Sequence, residues 1–173
     1  MTTAQNTEAT LILDQTQVLQ KIKRIAYEIY EDNADEQEIV LAGIYDKGYR
    51  FAQLLQTQLR AISPLQVRLI RVDLEKFTPV QSKVTLDCDL DSLAGKSIVL
   101  LDDVLNTGRT LAHSLQPFLS VAVRKIQVAV IVDRSHKLFP VATDFVGYAL
   151  STTLQEHIEV RLKDETALGV YLS

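Results

Sequence analysis

The residues of this sequence that could do chemistry are concentrated in one stretch near its middle. Two adjacent carboxylates, Asp102 and Asp103, directly follow an apolar run at residues 98–101. Neighbouring carboxylates repel each other unless a cation or hydrogen-bond donors lie beside them, so we expect a Mg²⁺-bound or polyhydroxylated ligand there. After two apolar residues comes a short loop of amide, glycine, hydroxyl and cationic residues: Asn106, Thr107, Gly108, Arg109 and Thr110.

This short loop has the composition of a phosphate-binding site. A helical pattern runs from Thr107 to about Leu119, so the loop would offer unpaired N–H groups and the positive end of a helix dipole to an anion. Gly108 would let the backbone approach a phosphate, and the hydroxyls of Thr107 and Thr110 would donate to it. The pattern therefore indicates a phosphate monoester beside the two carboxylates.

Two other interpretations of the same stretch have to be weighed. Its end resembles a P-loop, but that motif requires glycine where Asp103 stands and lysine where Arg109 stands, which argues against a nucleoside triphosphatase. Taken alone, the two aspartates could instead simply end a strand and open a turn. The compound pattern of strand, acids, apolar pair and Thr-Gly-Arg-Thr favours the ligand site.

Alternating helical and strand patterns surround this stretch and would position it. From Asp14, apolar residues at spacings of three and four predict an amphipathic helix that ends in the polar run 31–37, and Gln17 completes an N-terminal cap. A second helical pattern opens at Gly48. Strands are predicted at residues 39–44, 67–72, 97–101, 125–132, 144–150 and, as the last one, 158–162.

The alternation predicts an α/β fold with a mainly parallel central sheet flanked by helices, in a single domain over residues 1–173. In such a sheet ligands bind at the carboxyl ends of the strands, which is where the acids and the loop fall. Residues 74–94 are the least regular and predict a hairpin or a flexible flap, and residues 1–10 are predicted to form a disordered polar tail.

The composition limits the classes of function. The 173 residues are 47% hydrophobic and 23% charged, which is ordinary globular usage and excludes disordered or collagen-like chains. A formal net charge of −4 does not favour binding to nucleic acid or to an anionic membrane, although it is compatible with a local basic patch. With no apolar run near the roughly 18 residues of a membrane span, no signal peptide and a single cysteine, Cys88, we expect a cytoplasmic protein.

The stretch from Val99 to Thr110 resembles the phosphoribosyl pyrophosphate signature of type I phosphoribosyltransferases. The sequence is most similar to the family of pyrimidine operon attenuation regulators, whose members are also uracil phosphoribosyltransferases. This similarity extends from about Ile12 to Leu162. Beyond the signature it depends on shorter matches along the chain: Ile12-Leu13-Asp14, Arg24-Ile25-Ala26, Gly43-Ile44, residues 126–130 and 132–136, Pro140, residues 144–147, and Glu159-Val160.

The resemblance implies roles for the two acids and the loop. Asp102 and Asp103 would hold the ribose hydroxyls, directly or through water and Mg²⁺, and the loop from Asn106 to Thr110 would bind the ribose 5-phosphate. It also implies the partners of the protein: phosphoribosyl pyrophosphate, a nucleobase or its nucleoside monophosphate, RNA, and further copies of the chain in a homo-oligomer, most simply a dimer.

The resemblance further implies a pyrophosphate loop after the first core strand and a hood over the base. Asp46, Lys47 and Gly48 would form the loop, and Arg134 and His136 would lie in the hood. A salt-bridge role for Arg134 and a surface-loop position for His136 are open alternatives. The flap would close over the site to exclude water.

Several departures from the family's pattern fall on these ligand-facing segments. Asp46 and Lys47 stand in place of the usual threonine and arginine, which keeps one cation and adds an acid. Asn106 stands in place of an aromatic residue, and an amide cannot serve as the base that an aspartate supplies in hypoxanthine and guanine enzymes, which argues against a purine substrate. Ala142 stands where the family has a basic residue.

From these observations we predict a Mg²⁺-dependent phosphoribosyltransferase that joins a nucleobase, uracil first, to the ribose of phosphoribosyl pyrophosphate and releases diphosphate. Two alternatives stay open: an RNA-binding, uridine-nucleotide-sensing regulator of pyrimidine genes, and a homologue that binds nucleotide with little or no catalysis. The acidic net charge gives RNA binding weak support.

Overall fold

A six-stranded, mainly parallel sheet lies at the centre of the fold. The computed structural model describes residues 8–75 and 83–173. The strands are β1 (Thr10–Leu13), β2 (Glu38–Ile44), β3 (Gln66–Leu74), β4 (Val84–Leu86), β5 (Ser97–Leu105), β6 (Lys125–Asp133), β7 (Phe145–Ala149), β8 (Ile158–Arg161) and β9 (Gly169–Leu172). The helices are α1 (Gln15–Asp32), α2 (Lys47–Ile62), α3 (Arg109–Ser114) and α4 (Gln116–Leu119).

The strand order of the central sheet is β4-β3-β2-β5-β6-β7. All neighbours in it are parallel except β3 and β4, which form an antiparallel pair. The register places Ile39 beside Ser97 and Gly43 beside Leu101, so β2 and β5 reach the same edge of the sheet together. A separate three-stranded antiparallel sheet has the order β1-β9-β8.

Both faces of the central sheet are covered, which is why its middle strands are almost continuously apolar. Successive side chains of a strand point to opposite faces. On β2, Ile39 and Leu41 pack in the core that contains residues of α1 and α2, whereas Val40 and Ala42 pack in the core that contains Phe118 of α4. The sheet is thus a rigid layer between two apolar cores.

The fold class predicted from the sequence is confirmed, and so is the cap of the first helix. Asp14 accepts a hydrogen bond from the backbone N–H of Gln17 at 2.8 Å, and the Gln17 side chain accepts from the N–H of Asp14 at 2.9 Å. Among the described residues, no helix has the length and apolar character needed to cross a membrane.

The structure corrects several of the predicted bounds. β8 is not the last strand, because β9 follows it and pairs with both β8 and β1. The predicted tail extends too far, since Thr10 already belongs to β1 and pairs with Leu172; residues 1–7 of that prediction lie outside the described residues. β5 continues to Leu105, so the two aspartates belong to the strand itself.

The helix predicted over residues 107–119 is two short helices. α3 ends at Ser114, and α4 begins at Gln116 with Pro117 in its first turn. Proline has no backbone N–H to continue the helical hydrogen-bond pattern, so the break falls there.

The segment predicted as a hairpin or flexible flap, residues 74–94, contains regular secondary structure where the structure describes it, and its flexibility stays a prediction. β4 pairs with the end of β3 as a hairpin, and a 3₁₀ turn at Leu90–Leu93 buries Leu93 completely. Residues 76–82 lie outside the described residues.

Neighbouring residues of α4 provide a test of this packing. Phe118 is fully buried, whereas Leu119 is 72% exposed. We expect Phe118→Ala to lower the free energy of unfolding by about 3–5 kcal/mol because it leaves a cavity in the core. Leu119→Ala should change it by less than about 0.5 kcal/mol. Urea unfolding followed by circular dichroism measures both values, and equal losses would contradict the placement of Phe118.

Candidate active site

A cavity of about 400 Å³ opens at the carboxyl ends of β2 and β5. The residues that line it come from the end of β2 and the start of α2, from the end of β5, and from the loop and first turn of α3: Ile44, Tyr45, Asp46, Lys47 and every residue from Asp102 to Leu111. The two acids, the phosphate-type loop and part of the predicted pyrophosphate loop, separated by more than 50 residues in sequence, therefore share one cavity.

The two carboxylates lie in the second half of β5, and both side chains are partly buried. The Asp102 carboxylate accepts a hydrogen bond from the backbone N–H of Asp103 at 2.9 Å. The side chain of Asp103 is 17% exposed, and its Oδ2 lies 3.9 Å from Nζ of Lys47. The cation of the predicted pyrophosphate loop thus lies beside one of the two acids.

Gly48 explains how Lys47 comes so close to Asp103. A Cβ at residue 48 would lie 2.5 Å from the carbonyl oxygen of Leu101 and 3.0 Å from Cα of Asp102, both of which are backbone atoms. Only a residue without a side chain lets the start of α2 pack this closely on β5. The predicted contact between the Gly48 backbone and a diphosphate stays a prediction; the structure shows in addition that its α-carbon packs against the neighbouring strand.

The loop after β5 turns sharply at Gly108, whose φ of +86° is a left-handed conformation that favours glycine. The carbonyl of Thr107 accepts hydrogen bonds from the N–H groups of Leu138 at 2.8 Å and Phe139 at 3.1 Å, which fixes the loop from outside. Asn106, Arg109 and Thr110 are exposed at the cavity. Since α3 is only six residues long, the predicted phosphate binding would depend more on the N–H and hydroxyl donors of the loop than on a long helix dipole.

Arg134 and His136 lie beside this cavity, against the loop that follows β7. Arg134 is only 9% exposed. Its guanidinium donates from Nε to Thr152 Oγ1 at 2.8 Å and from one terminal nitrogen to Oδ1 of Asn106 at 2.8 Å. The other terminal nitrogen donates to the carbonyls of Thr153 and Glu156. Neither Arg134 nor His136 belongs to the cavity lining.

Arg134 therefore joins the phosphate-type loop to the loop at residues 152–156. Because guanidinium only donates hydrogen bonds, it fixes Asn106 with the amide oxygen toward Arg134. His136 donates from Nε2 to the carbonyl of Thr152. The same loop is closed by Glu156, whose pKa is lowered chiefly because the Thr153 backbone N–H donates to its carboxylate.

Sequence reasoning missed two residues near the cavity. Tyr45 lines it, and the guanidinium of Arg71 lies 5.4 Å from the centre of its ring. Lys163 lies 3.5 Å from Asp46, although 117 positions separate them in sequence. Tyr45 lies within the stretch from Ala42 to Gly48 that predicts the pyrophosphate loop, although no role was predicted for it there, whereas no sequence pattern points to Lys163.

The donor set at the acidic pair suits a magnesium ion. Among the described residues, no group of three or more His, Cys, Asp or Glu side chains could hold a metal, so any ion here would take two carboxylates at most. Mg²⁺ is commonly held by one or two carboxylates together with substrate phosphates and water. Asp102 and Asp103 fit that pattern.

Comparison with known proteins identifies the family. The family model described as a phosphoribosyl transferase domain matches residues 8–165. The bifunctional protein PyrR of Fusobacterium nucleatum is 34% identical over 161 residues, covering 89% of this chain and 91% of that protein. PyrR of Streptococcus thermophilus is 36% identical over 151 residues, covering 86% and 87%. The pyrimidine operon regulatory protein of Lactococcus lactis is 32% identical over 156 residues, covering 88% and 90%.

Solved structures agree at the level of the fold. The hypoxanthine phosphoribosyl transferase of Trypanosoma cruzi superimposes with a TM-score of 0.78 at 16% identity, covering 93% of this chain and 90% of that one. A hypoxanthine-guanine phosphoribosyltransferase from Bacillus anthracis gives 0.70 at 18% identity, covering 82% of each chain. With the signature loop and its acidic pair at one sheet edge, and with these relatives, the chain belongs to the type I phosphoribosyltransferase family.

Proposed function

We propose that this protein transfers the phosphoribosyl group of phosphoribosyl pyrophosphate to uracil, forming uridine monophosphate and diphosphate. The observation that carries the proposal is the shared cavity, where Lys47, the acidic pair and the loop from Asn106 to Thr110 lie together. Bifunctional PyrR relatives at 34–36% identity support the choice of a pyrimidine base. The oxygen-only acidic pair supports Mg²⁺ as cofactor.

Each part of the cavity has a task in this reaction. The loop donors bind the 5-phosphate, and the two carboxylates accept hydrogen bonds from the ribose hydroxyls. The bond from the ribose carbon to the diphosphate oxygen breaks, and a bond from that carbon to the base nitrogen forms while the nitrogen proton leaves to water. Charge builds up positive on the ribose and negative on the diphosphate, so carboxylates beside the ribose and Lys47 beside the diphosphate stabilise the transition state.

Magnesium bound with Asp102 and Asp103 would supply positive charge to the departing diphosphate. The protein's own contribution is positioning. Gly48 holds Lys47 next to β5, and Arg134 holds Asn106 in one orientation at the cavity. No side chain has to act as a covalent nucleophile.

RNA binding is a second candidate function, because the relatives include a pyrimidine operon regulatory protein and several proteins called bifunctional. The net charge of −4 does not favour it. A binding constant for RNA that falls steeply as salt is raised, with a uridine-nucleotide dependence, would establish this role beside catalysis. The homo-oligomer stays a prediction.

The substrate prediction is tested by incubating the protein with phosphoribosyl pyrophosphate, Mg²⁺ and one base at a time: uracil, orotate, hypoxanthine, guanine or xanthine. We expect nucleotide and diphosphate from uracil, with the purines far slower because Asn106 cannot take up a ring proton. Product from another base would replace uracil in the proposal. Binding of uridine monophosphate with no product from any base would identify a non-catalytic member of the family.

The role of the acidic pair is tested by Asp103→Asn, which keeps the shape of the side chain and removes its charge. We expect kcat/KM to fall by about 100-fold or more, the scale of losing one electrostatic contact to the transition state. The free energy of unfolding should change by less than about 1 kcal/mol, because the side chain is not part of the apolar core.

The matched control for this variant is Asp35→Asn, at an exposed residue that pairs with Arg124. It should keep full activity. If Asp103→Asn unfolds the protein while retaining the activity of its folded fraction, the pair is structural and its proposed role is wrong.

A further inference from the structure

The proposed diphosphate site contains an acid that ought to oppose its ligand. Asp46 lines the same cavity as Lys47 and precedes it in sequence, and its side chain is 47% exposed. Diphosphate carries several negative charges, and a carboxylate a few ångströms from it would repel it. A site with this residue needs something that neutralises Asp46 or holds it away from the ligand.

Lys163 is the group that meets this need. Its Nζ lies 3.5 Å from Oδ2 of Asp46, and its side chain is 83% exposed. Ion pairs this exposed contribute little to stability because solvent screens them and both side chains lose freedom. The pair is therefore better explained by its effect on the charge of the cavity than by its effect on the fold.

The segment that carries Lys163 is attached to the helix that begins at the diphosphate loop. Arg50 on α2 donates from Nε to the carbonyl of Leu162 at 3.0 Å and from a terminal nitrogen to Glu165 at 2.9 Å. These two contacts lie on either side of Lys163 in sequence. The first contact holds the backbone at Leu162 and the second holds the side chain of Glu165, so the segment that carries Lys163 is attached to α2 at both ends.

A second cavity, of about 380 Å³, lies between this segment and the start of α2. It shares Asp46 and Lys47 with the ligand cavity and is also lined by Arg50, residues 159–164 and Ala167. The two cavities therefore meet at the diphosphate loop. A carboxylate at residue 46 borders both, and Lys163 lines only the second one.

A second acid of this cavity, Glu159, is paired with a cation in the same way, whereas Asp164 accepts hydrogen bonds from Thr166. Arg161 lies 3.0 Å from Glu159. The pKa of Glu159 is lowered, first because Arg161 donates a hydrogen bond to it, with a smaller contribution from the charge of Lys47. Arg161 at the end of β8 and Lys163 just after it thus pair with two of the three acids that line this cavity, Glu159 and Asp46.

We propose that Lys163 is a positioning residue for the diphosphate site, which acts by pairing with Asp46 and drawing its carboxylate toward the second cavity. This inference rests on the proposed function. Lys163 need not touch the ligand: its effect on diphosphate affinity passes through the Asp46 carboxylate, which distinguishes it from a cation that binds the ligand directly.

A double-mutant cycle tests this proposal, with isothermal titration of inorganic diphosphate and of phosphoribosyl pyrophosphate in the presence of Mg²⁺. At low ionic strength we expect Lys163→Met to weaken binding of both by about three- to tenfold, and by less than about twofold near 1 M salt, where charges are screened. In the Asp46→Asn background, Lys163→Met should weaken binding by less than about twofold, because the carboxylate with which Lys163 pairs is absent.

Two further variants complete the experiment. Lys163→Arg keeps the cation and should bind within about twofold of the parent protein. Lys23→Met removes one positive charge from the exposed side of α1 and should have no effect beyond about twofold. In turnover, Lys163→Met should raise the KM for phosphoribosyl pyrophosphate and leave kcat near its parent value, because ground-state binding changes while the reacting groups stay in place.

The possible outcomes separate this inference from the proposed function. If Lys163→Met lowers the affinity equally with and without the Asp46 carboxylate, this inference is wrong and Lys163 contacts the ligand directly. The inference is also wrong if Lys163→Met lowers the affinity no more than Lys23→Met does. A parent protein that binds neither diphosphate nor phosphoribosyl pyrophosphate would overturn the proposed function, and the inference with it.

Discussion

The close packing of α2 on β5 is the constraint on which the rest of the site depends. The α-carbon of Gly48 lies against the backbone at Leu101 and Asp102, where no side chain would fit. Parallel register brings the ends of β2 and β5 to one edge of the sheet, and this contact then places Lys47 within 3.9 Å of Asp103. A larger residue at position 48 would push α2 away from β5 and so increase the distance between Lys47 and Asp103.

Balance of charge is the second organising principle of the site. Several acids lie around the two cavities, and the described ion pairs match three of them with cations: Lys47 with Asp103 and Lys163 with Asp46 across distant parts of the chain, and Arg161 with Glu159 within β8. A polyanionic ligand binds such a surface only if these acids are neutralised or held back. Lys163, in the segment between β8 and β9 of the smaller antiparallel sheet, reaches the start of α2 beside the central sheet.

Arg134 links the remaining parts of the cavity. Its nearly buried guanidinium holds Asn106 and three acceptors of the loop at residues 152–156. Its charge is surrounded by carbonyl, hydroxyl and amide oxygens, which satisfy its donors without a carboxylate. The loop that would bind the ribose phosphate and the loop after β7 are therefore one connected unit.

The sequence alone determined the fold class, the cap of α1, the main parallel strands and the acidic pair with its loop, because these depend on local periodicity and on a contiguous motif. It did not determine β9, since a four-residue strand has weak periodicity, or the extension of β5 through the acids, since two carboxylates interrupt an apolar strand pattern. The break near Pro117 was missed although proline is a local signal for it. Only the tertiary structure decided that Lys163 meets Asp46 and that Arg134 holds Asn106. Those contacts join residues 28 or more positions apart, and their existence depends on how loops pack, which no local pattern records.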